Sequence, residues 1–142
     1  MSASDRAPRF RFEFRVRYAD TDQMGFAYYG NYLRWFEVGR AELLRAHGVS
    51  YRQVEEAGVR LPVLEAHCRY LRPARYDDLL AVEVTVVGAG RASVQFAYRI
   101  LREEDGELLA TGTTEHCFTD PAGRPRRPPA FLTRLLPQAR LG

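Results

Sequence analysis

The chain has 142 residues, 46% of them hydrophobic and 27% charged, which fits one soluble domain with one core. No apolar run approaches the roughly 20 residues that span a bilayer, and Met1 to Arg9 is a polar stretch without a signal core, read as a flexible tail on a single domain over residues 10–142 of a cytoplasmic protein. The net charge is +3, and all 21 basic residues are arginine; so small an excess gives no argument for nucleic acid.

In chain order, Phe10, Phe12, Phe14 and Val16 alternate with Arg11, Glu13, Arg15 and Arg17, which predicts a half-buried strand over 10–18. A loop with two carboxylates, Asp20 and Asp22, and a glycine, Gly25, follows. From Asn31 the period changes to that of a helix. Asn31 can cap its start, Tyr32, Leu33, Phe36, Gly39, Ala41 and Leu44 form its apolar stripe with Trp35 off centre, and Gly48 stops it. A shorter helical patch covers Tyr51 to Ala57.

The remainder reads as strands. They are predicted over Leu64–Leu71, Leu79–Val87, Ala92–Arg102 and Glu107–Thr119, with Gly88 and Gly90 breaking the second and Glu104-Asp105-Gly106 turning between the last two. A short helix is placed around Ala130 to Leu136. One strand, one long helix and four strands joined by short turns predict an α+β domain, with a long helix packed on a five-stranded antiparallel sheet.

Cys68 and Cys117 each follow a histidine, but neighbours on a strand point to opposite faces, so neither His-Cys pair offers two ligands to one metal. Buried free thiols in a reducing compartment are the reading. No nucleophile elbow or glycine-rich phosphate loop occurs, which leaves carboxylate chemistry. The segment Tyr18 to Tyr32 sets an acid beside the start of a helix, where backbone amides favour negative charge and can polarise a carbonyl oxygen. Read from spacing, Asp22 is either that acid or a turn carboxylate with local hydrogen bonds.

Tyr18-Ala-Asp-Thr-Asp-Gln-Met-Gly25, Tyr28-Tyr-Gly-Asn-Tyr32, Trp35-Phe-Glu-Val-Gly-Arg40 and a second stretch, Leu61-Pro-Val with Tyr70-Leu-Arg-Pro-Ala-Arg-Tyr-Asp-Asp-Leu-Leu-Ala-Val-Glu-Val84, resemble hotdog-fold acyl-CoA thioesterases. The resemblance is to the 4-hydroxybenzoyl-CoA and Tol–Pal-associated group. It implies a hotdog fold, hydrolysis of acyl-CoA to free acid and coenzyme A, no cofactor, and homodimers that pair into homotetramers with sites at subunit interfaces. It maps the catalytic carboxylate to Asp22 and the oxyanion amides to Tyr29 and Gly30. Many members carry histidine at the position of Tyr29; the tyrosine found here is what the benzoyl-CoA branch carries. Thr21, Gly25, Tyr28, Asn31, Glu37 and Arg91 are the candidate substrate-binding residues, Arg91 for phosphate, with Arg124, Arg126 and Arg127 as further phosphate candidates. The rival readings are a non-catalytic acyl-CoA or lipid-binding hotdog module, and a hotdog dehydratase, which would need a histidine near the helix start.

Overall fold

A computed structural model describes residues 10–135; the expected N-terminal tail and the end of the last helix, Leu136, lie outside them. Five strands form one antiparallel sheet in the order β1-β3-β4-β5-β2: β1 (Phe10–Arg15), β2 (Val63–Tyr70), β3 (Leu79–Ala89), β4 (Ser93–Arg102) and β5 (Leu108–Cys117). Helix α1 (Asn31–Ala46) packs on it, and α2 (Tyr51–Glu56) and α3 (Ala130–Thr133) are short. The expected α+β architecture is therefore present.

Details differ from the sequence expectation. The first strand ends at Arg15, because Tyr18–Asp20 winds into a 3-10 turn. Gly88 does not break β3, which continues to Ala89 through a bulge between Val86 and Gly88. Trp35 is not off centre but core, 2% exposed, since the broad helical face turns it against Phe14 and Tyr32. Gly30 occupies the cap position of α1 and Asn31 is its first residue, so the expected asparagine cap is not made.

Close approach of α1 to the sheet depends on two glycines. A Cβ on Gly39 would lie 2.7 Å from Val84 Cγ2, and one on Gly112 would lie 2.4 Å from Phe36 Cε2. With those atoms absent, Phe36 stacks on Tyr98 at 4.3 Å between ring centroids. The exposed edge strand β2 contrasts with this core: it is paired on one side by β5, and Val63, Leu64 and Tyr70 remain 45–56% exposed.

His116 is buried in β5, with Nε2 2.8 Å from Thr114 Oγ1 and Nδ1 3.3 Å from the Leu61 carbonyl oxygen. Burial, with the Arg40 charge nearby, lowers its pKa to about 4. The folded state keeps this imidazole neutral where the unfolded chain takes a proton, so stability is intact above the ordinary histidine value and falls as pH drops from about 6.5 to 4. The expected loss by pH 4 is about 3 kcal/mol. Urea melts at pH 7 and pH 4.5 should show it, with His116→Gln flattening the slope; an unchanged slope in that variant would assign the acid sensitivity elsewhere.

Candidate active site

The chain leaves β1 at the Leu79 end of β3 and folds into a tight loop before α1. Thr21 bridges Ala27, the Asp22 amide donates to the Phe26 carbonyl at 2.8 Å, and the Gly25 amide returns to the Asp22 carbonyl at 3.1 Å. Gly25 sits at φ +83°, in the left-handed region where a side chain is strained. Thus Gly25 shapes the turn that presents Asp22.

The two acids of the loop have separate environments. Asp20 is 4% exposed; Oδ2 accepts the Arg17 amide at 2.9 Å and Oδ1 accepts Arg34 Nη2 at 2.7 Å. Its carbonyl oxygen accepts the Tyr28 amide and Asn31 Nδ2, both at 2.8 Å. Asp20 thereby fastens the loop to the first turn of α1, and this is where the Asn31 side chain goes instead of capping. Asp22 is half-exposed. Its Oδ1 accepts the Met24 and Phe26 amides at 2.9 and 3.3 Å, which fixes the carboxylate plane, while Oδ2 accepts no hydrogen bond from the described residues. One oxygen is held and the other is available for chemistry.

At the helix start, the Asn31 and Tyr32 amides donate to the Tyr28 and Tyr29 carbonyls at 3.0 and 3.2 Å. The Tyr29 and Gly30 amides donate to no described residue. They are the free donors at the positive end of a 16-residue helix. Tyr70 on β2 fixes this corner, its hydroxyl donating to the Tyr29 carbonyl at 2.9 Å. Its ring packs edge-on to Tyr29 and Tyr32, at 6.3 and 4.9 Å. Tyr28, half-exposed, lies beside Tyr29 at 4.6 Å. A Cβ on Gly30 would meet the Tyr28 ring at 2.8 Å, so glycine makes room for that ring.

The other candidates are distributed. Thr21 spends its hydroxyl on the Tyr18 carbonyl at 2.7 Å, closing the loop. Glu37 is exposed about 9 Å along the helix from Asn31 and lines a cavity with Arg40. Arg91 stands past the far end of β3, roughly 30 Å of strand from the Asp22 loop, so one chain does not bring the two together. Arg60, Arg124 and Arg126 are at that same far end, through the pairing of Arg60 with Thr119, Asp120 with Arg124, and Arg126 with Phe118. Cys68 and Cys117 are free and half-buried. Sequence reasoning did not single out Arg34 or Tyr70 as parts of the site; both act through non-local hydrogen bonds.

A sequence model of the thioesterase-like superfamily matches residues 16–136. The chain is 36% identical over 108 residues to the putative acyl-CoA thioesterase YneP of Bacillus subtilis, covering 76% of this chain and 78% of that protein. It is 31% identical over 123 residues to the acyl-CoA thioester hydrolase YbgC of Escherichia coli, covering 87% and 92%. Its fold superimposes on the crystal structure of a hypothetical protein from Aquifex aeolicus with a TM-score of 0.85 and 30% identity, over 90% of this chain and 99% of that one.

Proposed function

We propose, for a chain that belongs to the thioesterase-like superfamily and has the hotdog fold, that it hydrolyses acyl-CoA thioesters with Asp22 as the reactive carboxylate. The observation that carries this is the unengaged Oδ2 of Asp22 on a loop that leads directly into the free amides of Tyr29 and Gly30. The acyl-CoA relatives support the substrate class. In the reaction, the thioester oxygen accepts hydrogen bonds from the Tyr29 and Gly30 amides as charge develops on it, a donor effect commonly worth about 3 kcal/mol each. Asp22 Oδ2 either takes a proton from the water that attacks the carbonyl carbon, or attacks that carbon itself to give an anhydride that water then opens. In both courses the carbon–sulfur bond breaks and coenzyme A leaves as the thiol. Tyr28, beside the Gly30 backbone, contributes an aromatic wall, and Gly25 and Asn31 hold the loop and helix start in place for the substrate. Release of free thiol from acyl-CoA is the test; tight binding without release would establish the non-catalytic reading instead.

We propose that the exposed edge of β2 also carries the assembly. Its Tyr70 end adjoins Tyr29, and its Val63 end pairs with His116 near Arg91. A second copy paired antiparallel along this exposed edge sets its own Arg91 end beside the Asp22 end of the first. The site is then completed across a homodimer, which supplies the phosphate contacts and brings Glu37 of each chain toward the shared interface; pairing of dimers gives the tetramer. Arg91→Ala is expected to raise KM for acyl-CoA about tenfold with little change in kcat, since a phosphate contact serves binding and not chemistry. Unchanged KM would remove Arg91 from the site. No helix among the described residues is long and apolar enough to cross a membrane; a cytoplasmic location is part of this proposal.

A further inference from the structure

We propose that the cavity between α1, α2 and the segment entering β2 binds a small oxyanion, a carboxylate or phosphate group, on Arg40. Within one chain this site is separate from that chain's own Asp22 loop, with Arg40 about 14 Å along the helix from Asn31.

Arg40 lies on the core-facing row of α1 and is only 8% exposed. Its guanidinium meets hydroxyls: Nε donates to Tyr51 Oη at 3.1 Å and Nη1 to Tyr98 Oη at 3.4 Å. Nη2 makes no hydrogen bond, and Arg40 no ion pair, with any described residue. The hydroxyl chain brings no negative charge. Tyr98 Oη lies 2.5 Å from Thr114 Oγ1, which lies 2.8 Å from His116 Nε2, and the chain ends on the Leu61 carbonyl. Burial raises the Tyr51 and Tyr98 phenols above their ordinary values, so both stay neutral. Burial disfavours this cation, and the charge interactions and hydrogen bonds it makes with Tyr98 and Tyr51 offset that and leave its pKa raised above the ordinary arginine value.

The cavity beside it measures about 170 Å³, room for an oxyanion with water. Tyr51 and a second guanidinium, Arg60, also line it, and Arg60 is held by the Glu55 and Val59 carbonyls at 3.3 and 3.4 Å. Glu37 and Glu55 complete the lining; both are exposed to solvent in the single chain, and the Glu37 charge reaches the Tyr51 and Tyr98 phenols and helps to raise them. They repel an extended polyanion. The site thus suits a small oxyanion, bidentate on the guanidinium.

The test is a thermal melt of the full chain in sodium chloride, sodium acetate and sodium phosphate at equal ionic strength, with titration calorimetry for each oxyanion. Acetate, phosphate or both should raise the wild-type melting temperature by several degrees over chloride, and the responding salt names the source of the ligand. Arg60→Gln, a substitution of an exposed side chain, should weaken the apparent Kd about tenfold, and Tyr51→Phe should weaken it as well. Arg40→Gln should abolish the shift; if it fails to fold, Arg60→Gln decides. Asp22→Asn should bind as wild type does, so a failure of the catalytic assignment is distinguishable from a failure here. No stabilisation over chloride by either oxyanion, or wild-type affinity in Arg60→Gln, would overturn the proposal.

Discussion

Replacing Asp22 with asparagine is expected to lower kcat for acyl-CoA hydrolysis by about 100- to 10,000-fold, the range over which a positioned acid–base group contributes. The substitution is nearly isosteric. An asparagine Oδ1 can still accept the Met24 and Phe26 amides, so the turn that places residue 22 survives. What is lost is the charge and basicity of Oδ2. In the proposed reaction that oxygen acts on the reacting atoms and not on coenzyme A, so KM should change little while kcat falls. A matched loss of stability is not expected, in contrast to Asp20, whose carboxylate is buried and bonded to Arg17 and Arg34. Turnover near wild type in Asp22→Asn would remove the acid from the reaction.

Gly112→Ala should cause the largest loss of stability from a single added methyl group. Its Cβ would stand 2.4 Å from Phe36 Cε2 and 2.5 Å from the His67 carbonyl oxygen. The first contact belongs to the ring that seats α1 on the sheet, and the second to the backbone of β2, which cannot rotate away. Relief requires lifting the helix or parting β2 from β5, where Gly112 faces Cys68 in the register. Overpacking of this kind costs about 3 kcal/mol, on the order of 10 °C in Tm for a domain of this size. The same displacement would move Tyr70, which fixes the Tyr29 carbonyl, so residual activity should fall along with Tm. A melting temperature within 2 °C of wild type would contradict the close helix–sheet contact.

The legible parts of this chain are those governed by local pattern. Alternation in Phe10–Arg15 and in Ser93–Arg102, and the helical stripe from Tyr32 to Leu44, give the two layers. At the Asp22 loop, turn, glycine and helix start are contiguous, yet spacing alone leaves the carboxylate either a reacting acid or a turn residue, and only the family resemblance points to the acid. Other features depend on distant partners. Asn31 looks like a cap by type, but the Asp20 carbonyl eleven residues earlier claims its side chain. Gly88 looks like a break, but the bulge against Gln95 keeps it in the ladder. Arg91 follows a strand that carries it away from the acid, and only the sheet register shows that its own loop is out of reach. Arg40 is enclosed by Tyr51 and Tyr98, and Tyr98, 58 residues away, is a partner that no local pattern reveals.

Free thiol release from a panel of short-chain, long-chain and aromatic acyl-CoA thioesters, followed for the wild-type chain and Asp22→Asn in parallel, decides whether Asp22 is the reactive carboxylate. That role for Asp22 predicts steady turnover by wild type on at least one class and loss of that turnover in the variant with substrate binding retained. Substrate binding without thiol release on every class, or equal release by both proteins, would contradict it.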